Sequence, residues 1–166
     1  VFASSSCGIC GSATIDAVRK QFAPLGAGPV VTEQTIYALT DRLRGAQPTF
    51  DKTGGLHAAA LFDEMGELVL AREDVGRHNA VDKVVGHSLL AEMLPLSRHV
   101  LVVSGRASFE IVQKSLAAGI RIIAAVSAPS SLAIDLAHEA NITLIGFLRH
   151  GRFNVYTHHE RIESRV

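Results

Sequence analysis

The 166-residue chain has the length of one domain, and its 48% apolar and 19% charged residues predict a folded protein. Sixteen basic and sixteen acidic side chains cancel, which removes the net field that non-specific nucleic-acid or anionic-membrane binding uses. No stretch approaches the ~18 apolar residues of a membrane span, and no basic and apolar leader is present. The composition therefore predicts a cytoplasmic protein with neither nucleic acid nor membrane as a partner.

The first part of the chain predicts two helices. One begins at Ser12, and the other begins at Thr32 and runs to about Arg44. Residues 24–29 (PLGAGP) and 45–55 (GAQPTFDKTGG) are rich in Gly and Pro and predict loops. The apolar stripes of the helices are Ile15, Val18 and Phe22 in the first, and Ile36, Leu39 and Leu43 in the second.

The rest of the chain alternates strand and helix patterns. Residues 57–62 and 68–71 predict a β-hairpin, after which Asp74 caps a helix. That helix has Val81, Val84, Val85 and Leu89 on one face. The later apolar runs are typical of strands buried on both faces, at residues 99–104, 121–127 and 142–148. Helices are predicted at 108–118 and 131–140, and a final strand at 153–157. The pattern predicts one α/β domain over residues 1–166, a three-layer α/β/α sandwich with a mixed, mostly parallel sheet and one antiparallel edge.

Polar segments follow three of the predicted strands. They are Ser104-Gly105-Arg106, residues 127–131 (SAPSS, beginning with Ser127) and residues 149–152 (RHGR). Ligands of parallel sheets bind beyond the carboxyl ends of the strands, where small residues expose backbone N–H groups and arginine pairs with phosphate. Each segment alone could be an ordinary turn. Together they predict a pocket for the phosphates of a nucleotide-like ligand.

The densest polar run, residues 73–83 (EDVGRHNAVDK), enters the third predicted helix. It has two interpretations: a solvated helix start whose acids complement the helix dipole, or polar groups that face a pocket beside the buried stripe. We favour the pocket, which would include Arg77 and His78.

The only two cysteines, Cys7 and Cys10, form a CxxC motif ahead of the first helix. They could be buried and inert, they could be half of a metal site completed by His57 or His78, or they could be reactive. The N-terminal end of a helix lowers a thiol pKa, the flanking glycines leave the sulfur atoms accessible, and no carboxylate is adjacent. These features favour reactive sulfur, but a CxxC motif does not separate disulfide exchange from sulfur carriage.

Several runs resemble the FdhD sulfurtransferases, which are formate dehydrogenase accessory proteins. The matching segments are SSSCGICG, TGGLHAAAL, REDVGRHNAVDK, SGRASFEIVQK, VSAPSSLAI and GFLRHGRFNVYT. They cover nearly the whole chain, and REDVGRHNAVDK is the most specific. The resemblance implies a cytidine-deaminase-like fold. Family members begin with a further segment ahead of the CxxC motif, whereas this chain starts six residues before Cys7.

The resemblance also implies a function. A sulfurtransferase of this kind accepts persulfide sulfur from a cysteine desulfurase and passes it to a molybdenum or tungsten bis(guanine dinucleotide) cofactor, which a formate dehydrogenase needs. It implies that Cys7 carries the persulfide with Cys10 as its partner, that GDP mimics one end of the cofactor, and that the protein is a homodimer without a metal of its own. The implied cofactor-binding stretch is Phe147, Leu148, Arg149, His150, Gly151 and Arg152.

Two alternatives stay open. The protein could bind and present the cofactor without sulfur chemistry. It could also be a zinc deaminase, which needs a Glu two residues after a His or Cys ligand and a CxxC motif downstream. Here Ala59 follows His57 at that spacing and the cysteines come first, so the sequence argues against a deaminase.

Overall fold

A computed structural model describes residues 12–47 and 54–164. The CxxC motif and residues 48–53 of the second predicted loop lie outside the described residues. The elements in chain order are α1 (Ser12–Gln21), β1 (Val31–Thr32), α2 (Glu33–Gly45), β2 (His57–Asp63), β3 (Leu68–Asp74), α3 (Arg77–Leu90), β4 (His99–Val103), α4 (Phe109–Ala117), β5 (Ile122–Ala125), α5 (Ser131–Glu139), β6 (Thr143–Arg149), β7 (Arg152–Thr157), a 3-10 turn (His159–Arg161) and β8 (Ile162–Glu163).

Six strands form one mixed sheet in the order β3-β2-β4-β5-β6-β7. The central strands β4, β5 and β6 are parallel. Strand β2 is antiparallel to both β3 and β4, and β7 is antiparallel to β6. The sheet is thus mixed as predicted, but both of its edges are antiparallel where the sequence predicted one. The β2–β3 hairpin joins the sheet through a long-range pairing with β4 that local pattern does not specify.

Both faces of the sheet are covered, which gives the predicted three layers. Alternate residues of the central strands point to opposite faces, so that Leu101 and Ile123 belong to one apolar core and Val102 and Ala124 to the other. Helices α1, α3, α4 and α5 contribute to the first core. Helix α2 and the small β1–β8 pair cover the second. Among the described residues, no helix has the length and apolar character needed to cross a membrane.

Side-chain caps start three of the helices where the sequence indicated. The hydroxyls of Thr32, Ser108 and Ser130 accept hydrogen bonds from backbone N–H groups in the first turns of α2, α4 and α5. These caps fix the residues at which α4 and α5 begin, so the N-terminal ends of the two helices lie just after β4 and β5.

Two details of α3 differ from the prediction. Asp74 is the last residue of β3 instead of a helix cap, because the strand continues until it pairs with His57; the N-cap is Gly76. Leu89 is 61% exposed, and Ser88 takes the buried position. Ser88 lies one helical turn after Val84 and donates its hydroxyl to the Val84 carbonyl.

Candidate functional site

The carboxyl ends of β4, β5 and β6 meet at one edge of the sheet, called the carboxyl edge below. Because β2 runs antiparallel to β4, with Ala59 opposite Val103, the start of β2 lies at the same edge. Strand β3 ends there too, with Asp74 opposite His57, so α3 also begins there. Five chain segments therefore converge on one side of the domain.

The predicted strand-end segments lie side by side along this edge. Ser127 N donates to the Gly105 carbonyl at 3.4 Å, and Phe147 N donates to the Ser127 carbonyl at 3.2 Å. Ser104 binds the first residues of β2, since its hydroxyl accepts from Ala58 N at 2.8 Å. The first two segments thus lie side by side, and the third follows Phe147 along β6, while the role of all three in binding stays a prediction.

The edge carries exposed positive charge. The side chains of Arg106, Arg149 and Arg152 are exposed and make no hydrogen bond or ion pair with the residues that the structure describes. Arg149 and Arg152 are paired across the tip of the β6–β7 hairpin, whose turn is closed by Gly151 with φ +75°. A glycine at a positive φ suits such a tight turn and leaves the backbone open between two arginines.

The hairpin distributes the predicted cofactor-binding stretch between the surface and the core. Phe147 adopts φ +52° at a bulge in β6 and is 38% exposed. The side chain of Leu148 is fully buried in the core beneath α2, so it packs instead of facing a ligand. His150 is exposed, with its Nδ1 atom 3.5 Å from a carboxylate oxygen of Asp41 in α2.

Arg77 and His57 meet over Gly105 at the opposite end of the site. A Cβ atom on Gly105 would lie 3.3 Å from His57 Nδ1 and 3.7 Å from Arg77 Cδ. The Nε atom of Arg77 is buried and has no hydrogen-bond partner among residues 12–47 and 54–164. A Cβ atom at 3.3 Å would crowd the imidazole ring, so glycine at position 105 lets His57 pack against the backbone of this turn. Sequence reasoning considered His57 only as a metal ligand, because its position beside Gly105 depends on β2 pairing with β4.

His78 lies at the start of α3 and is held by α4. Its Nε2 atom is 2.8 Å from Ser108 Oγ, and its Nδ1 atom is 3.0 Å from Glu110 Oε2. Both ring nitrogens are therefore engaged within the protein, and His78 positions two helix starts. Burial lowers the pKa of His78, against the attraction of Glu110, which raises it.

We expect acidification to destabilise the fold through His78. Because burial lowers the pKa of His78 in the folded protein, the unfolded chain binds more protons than the folded one once the pH falls below about 6.5. The contribution of neutral, buried His78 to the free energy of unfolding is therefore present above about pH 6.5 and is lost below it. Burial lowers the pKa of His99 in the same direction, so it adds to the effect. Urea unfolding from about pH 7.5 to 5 should therefore show a falling free energy of unfolding.

A His78→Gln variant should lose part of this pH dependence. The same replacement at His159, whose side chain is exposed, is the control. An unchanged pH dependence in His78→Gln would show that His78 does not contribute.

Asp74 fixes the chain between β3 and α3. Its carboxylate accepts from Gly76 N at 2.9 Å and from Asn79 Nδ2 at 3.1 Å, and lies 2.6 Å from Lys83 Nζ. The Lys83 contact, followed by those of Gly76 and Asn79, lowers the pKa of Asp74 to about 2. Part of the polar run is thus a structural anchor between β3 and α3, while the interpretation of Arg77 and His78 as lining a pocket stays a prediction.

Gly146 is tightly packed where β6 approaches the carboxyl edge. A Cβ atom there would lie 2.7 Å from Pro129 Cδ and 2.9 Å from Tyr156 Cε2. Both distances are shorter than van der Waals contact, and Pro129 cannot rotate away. Glycine at this position therefore sets how closely the segment after β5 approaches β7.

We expect a Gly146→Ala variant to unfold more easily, by about 1–3 kcal/mol, because the added methyl group overpacks the site. The free energy of unfolding in urea measures this. Gly86→Ala is a matched control within α3, where nothing lies within 4 Å of the new Cβ, and it should gain about 0.5–1 kcal/mol. Equal stability of Gly146→Ala and the parent protein would contradict the packing argument.

A separate groove of about 430 Å³ lies between α1, α5 and β7. It contains none of the site residues predicted from the sequence. Its lining residues are Ile15, Asp16, Arg19, Ile134, Asp135, His138, Glu139, Tyr156 and Thr157. Within residues 12–47 and 54–164, no three His, Cys, Asp or Glu side chains are grouped so that they could hold a metal ion.

Comparison with known proteins identifies close relatives. The model of the FdhD/NarQ family matches residues 1–163. The sulfur carrier protein FdhD of Streptomyces avermitilis is 60% identical over all of this chain and 60% of its own length. FdhD of Sulfurisphaera tokodaii is 50% identical over 96% of this chain and 61% of its own length.

A solved structure shares the fold. It is described as a formate dehydrogenase accessory protein from Desulfotalea psychrophila, and matches with a TM-score of 0.78 and 35% identity over 86% of this chain and 60% of that one. The chain thus spans about 60% of the length of the curated relatives it matches. The expected likeness to cytidine deaminases is not confirmed by these comparisons.

Proposed function

Because the chain belongs to the FdhD/NarQ family, we propose that it carries sulfur as a cysteine persulfide. It accepts the sulfur from a cysteine desulfurase and transfers it to a molybdenum or tungsten bis(guanine dinucleotide) cofactor destined for a formate dehydrogenase. The observation that carries the proposal is a CxxC motif two residues ahead of α1, a helix whose N-terminal end lies toward the arginine-bearing carboxyl edge.

The direction of α1 follows from its contacts with α5. Arg19 forms an ion pair with Glu139, and Leu25 N donates to the Ala140 carbonyl at 2.9 Å, so the two helices end together. The groove between them is lined by Ile15 as well as by Ile134, which is near the start of α5. Because α5 starts at the carboxyl edge, we infer that the start of α1 lies on the same side of the domain.

This arrangement supports sulfur transfer between the motif and the edge. Cys7 is five residues ahead of Ser12, so covalent geometry limits its Cα atom to about 18 Å from that of Ser12. In the proposed loading step, the Cys7 thiolate attacks the outer sulfur of the desulfurase persulfide. A new S–S bond forms on Cys7, the old one breaks, and the desulfurase leaves as a thiolate. Cys10 is the partner thiol.

The carboxyl edge would hold the cofactor as a substrate. Arg149 and Arg152 are the proposed phosphate ligands, and the adjacent turns at Gly105, Arg106 and Ser127 line the same edge. The bound cofactor would supply the metal that accepts the sulfur and the two electrons that reduce it to sulfide, and the S–S bond of Cys7 would break to leave a thiolate. Free thiols in the carrier fit a reducing compartment, so the proposal includes a cytoplasmic location. A homodimer is also proposed, from the resemblance alone.

The proposal is tested by co-purification and mass spectrometry. Protein isolated from cells that make the cofactor should carry a guanine dinucleotide. After incubation with a desulfurase and cysteine, the reduced protein should gain the mass of one sulfur atom. The proposal is overturned if the isolated protein carries no guanine dinucleotide and gains no sulfur atom on incubation.

The exposed arginines of the carboxyl edge also favour a second candidate, a protein that delivers the cofactor without sulfur chemistry. Cofactor delivery by a Cys7→Ala, Cys10→Ala variant would select this candidate over the first.

A further inference from the structure

The groove between α1, α5 and β7 has an apolar floor and a charged rim. Its volume is about 430 Å³, and its floor includes the half-buried side chains of Ile15, Ile134 and Tyr156. The rim consists of exposed side chains, which are Asp16, Arg19, Asp135, His138 and Glu139. An apolar centre inside a polar rim is the arrangement that proteins use to bind a segment of another protein.

The rim of the groove is net negative, because three carboxylates and one arginine line it. Arg19 forms ion pairs with both Asp16 and Glu139, so these three groups share one negative charge. The side chain of Asp135 makes no hydrogen bond or ion pair with residues 12–47 and 54–164. Asp135 therefore adds a second, uncompensated negative charge, which favours a basic occupant.

The charge of the groove is opposite to that of the carboxyl edge. The edge carries the exposed side chains of Arg106, Arg149 and Arg152, whereas carboxylates dominate the rim of the groove. The phosphates of a cofactor are attracted to the edge and repelled by the groove. The two surfaces therefore fit different partners, an anionic one at the edge and a cationic one in the groove.

The groove also lies close to the CxxC motif along the chain. Ile15 is three residues after Ser12, which is a rise of about 4.5 Å along α1. Cys10 is five residues ahead of Ile15, so covalent geometry limits the separation of their Cα atoms to about 18 Å, and Cys7 precedes Cys10 by three residues. A protein seated in the groove can therefore present a reactive group within reach of the motif.

We infer that the groove binds the sulfur donor, through a basic segment of the cysteine desulfurase that places a Lys or Arg opposite Asp135 and an apolar side chain on the floor. The inference rests on the proposed function, because that function requires a protein whose persulfide meets the Cys7 thiolate. Donor and cofactor then occupy separate surfaces, so neither has to leave before the other binds.

The test compares the rates at which two donors load sulfur onto the reduced protein, read from intact mass under non-reducing conditions. One donor is a cysteine desulfurase with cysteine. The other is cysteine persulfide, which gives up its outer sulfur and leaves as cysteine thiolate, and which is too small to need a docking groove.

An Asp135→Lys variant should be loaded by the desulfurase at least about threefold more slowly than the parent protein at low salt, because its rim repels a basic segment. The difference should shrink as salt is raised, since ions screen exposed charges. Loading from cysteine persulfide should stay within a factor of about two of the parent rate, because Asp135 takes no part in the reaction of the thiol.

Glu92→Lys is the control of equal charge change. The Glu92 side chain is exposed and makes no contact with the part of the chain that the structure describes. It follows α3, which packs on β2 and β3 at the edge of the sheet opposite to β7. This variant should be loaded by both donors as the parent protein is. Ile15→Ser removes apolar surface from the floor without a change of charge, so it should slow loading by the desulfurase at low and at high salt.

The inference is overturned if the desulfurase loads Asp135→Lys as fast as the parent protein, or if Glu92→Lys is slowed as much. Equal slowing of Asp135→Lys with cysteine persulfide would also overturn it, since the substitution would then act on the thiol and not on docking. A parent protein that gains no sulfur from either donor would instead count against the proposed function.

Discussion

A Cys7→Ala variant is expected to lose sulfur loading completely. Only two thiols exist in the chain, and the family resemblance assigns the persulfide to the first. Incubation with a desulfurase and cysteine should add one sulfur atom to the parent protein and none to the variant, as read from intact mass under non-reducing conditions. The physical reason is that alanine has no thiolate to attack the donor persulfide.

Cys10→Ala is the matched control for this experiment. The variant keeps one thiol and the same change in side-chain volume, and it should still gain one sulfur atom. Cys10 is two residues ahead of Ser12, where α1 begins. If Cys7→Ala loads and Cys10→Ala does not, the helix-proximal thiol is the carrier and the assignment is reversed. Equal loading of both variants would show that neither thiol is specific.

The second large effect is expected at the tip of the β6–β7 hairpin. An Arg149→Ala, Arg152→Ala variant should bind GDP at least about tenfold more weakly, since each charge-assisted phosphate contact contributes about 1.5–3 kcal/mol. Both side chains are exposed and make no described contact, so their removal should leave the free energy of unfolding nearly unchanged. Calorimetry of GDP binding measures the effect.

A control of equal charge change is Lys20→Ala, Arg98→Ala. Lys20 is in the last turn of α1 and Arg98 precedes β4, so both lie away from the carboxyl edge. This control variant should bind GDP with the affinity of the parent protein at low and at moderate salt concentration. A hairpin variant that binds GDP as well as the parent protein would exclude the two arginines as phosphate ligands.

Local sequence signals predicted most elements of the fold. Hydroxyl caps such as Thr32 and Ser108 and short β-branched runs such as residues 100–103 act over a few residues, so pattern reveals them. The carboxyl edge could also be predicted, because parallel strands place their ends together. Three separate polar segments therefore had to meet.

Features that depend on long-range pairing could not be predicted in this way. Strand β3 extends to Asp74 only because His57 lies opposite, and His57 reaches Gly105 only because β2 joins β4. Nor does the sequence reveal that Leu148 packs in the core while Phe147, its neighbour, has a positive φ at a bulge. Single-residue backbone irregularities of this kind have no periodic signal.

The packing around the β6–β7 hairpin gives the protein a built-in optical reporter. The chain has two tyrosines and no tryptophan, so its intrinsic emission comes from tyrosine alone. Tyr37 packs against Phe153 of β7 with ring centroids 5.2 Å apart, and Tyr156 lies against Gly146 of β6. Tyr37 of α2 and Tyr156 of β7 therefore both contact the hairpin, and we expect occupation of its tip to change the unlabelled tyrosine fluorescence.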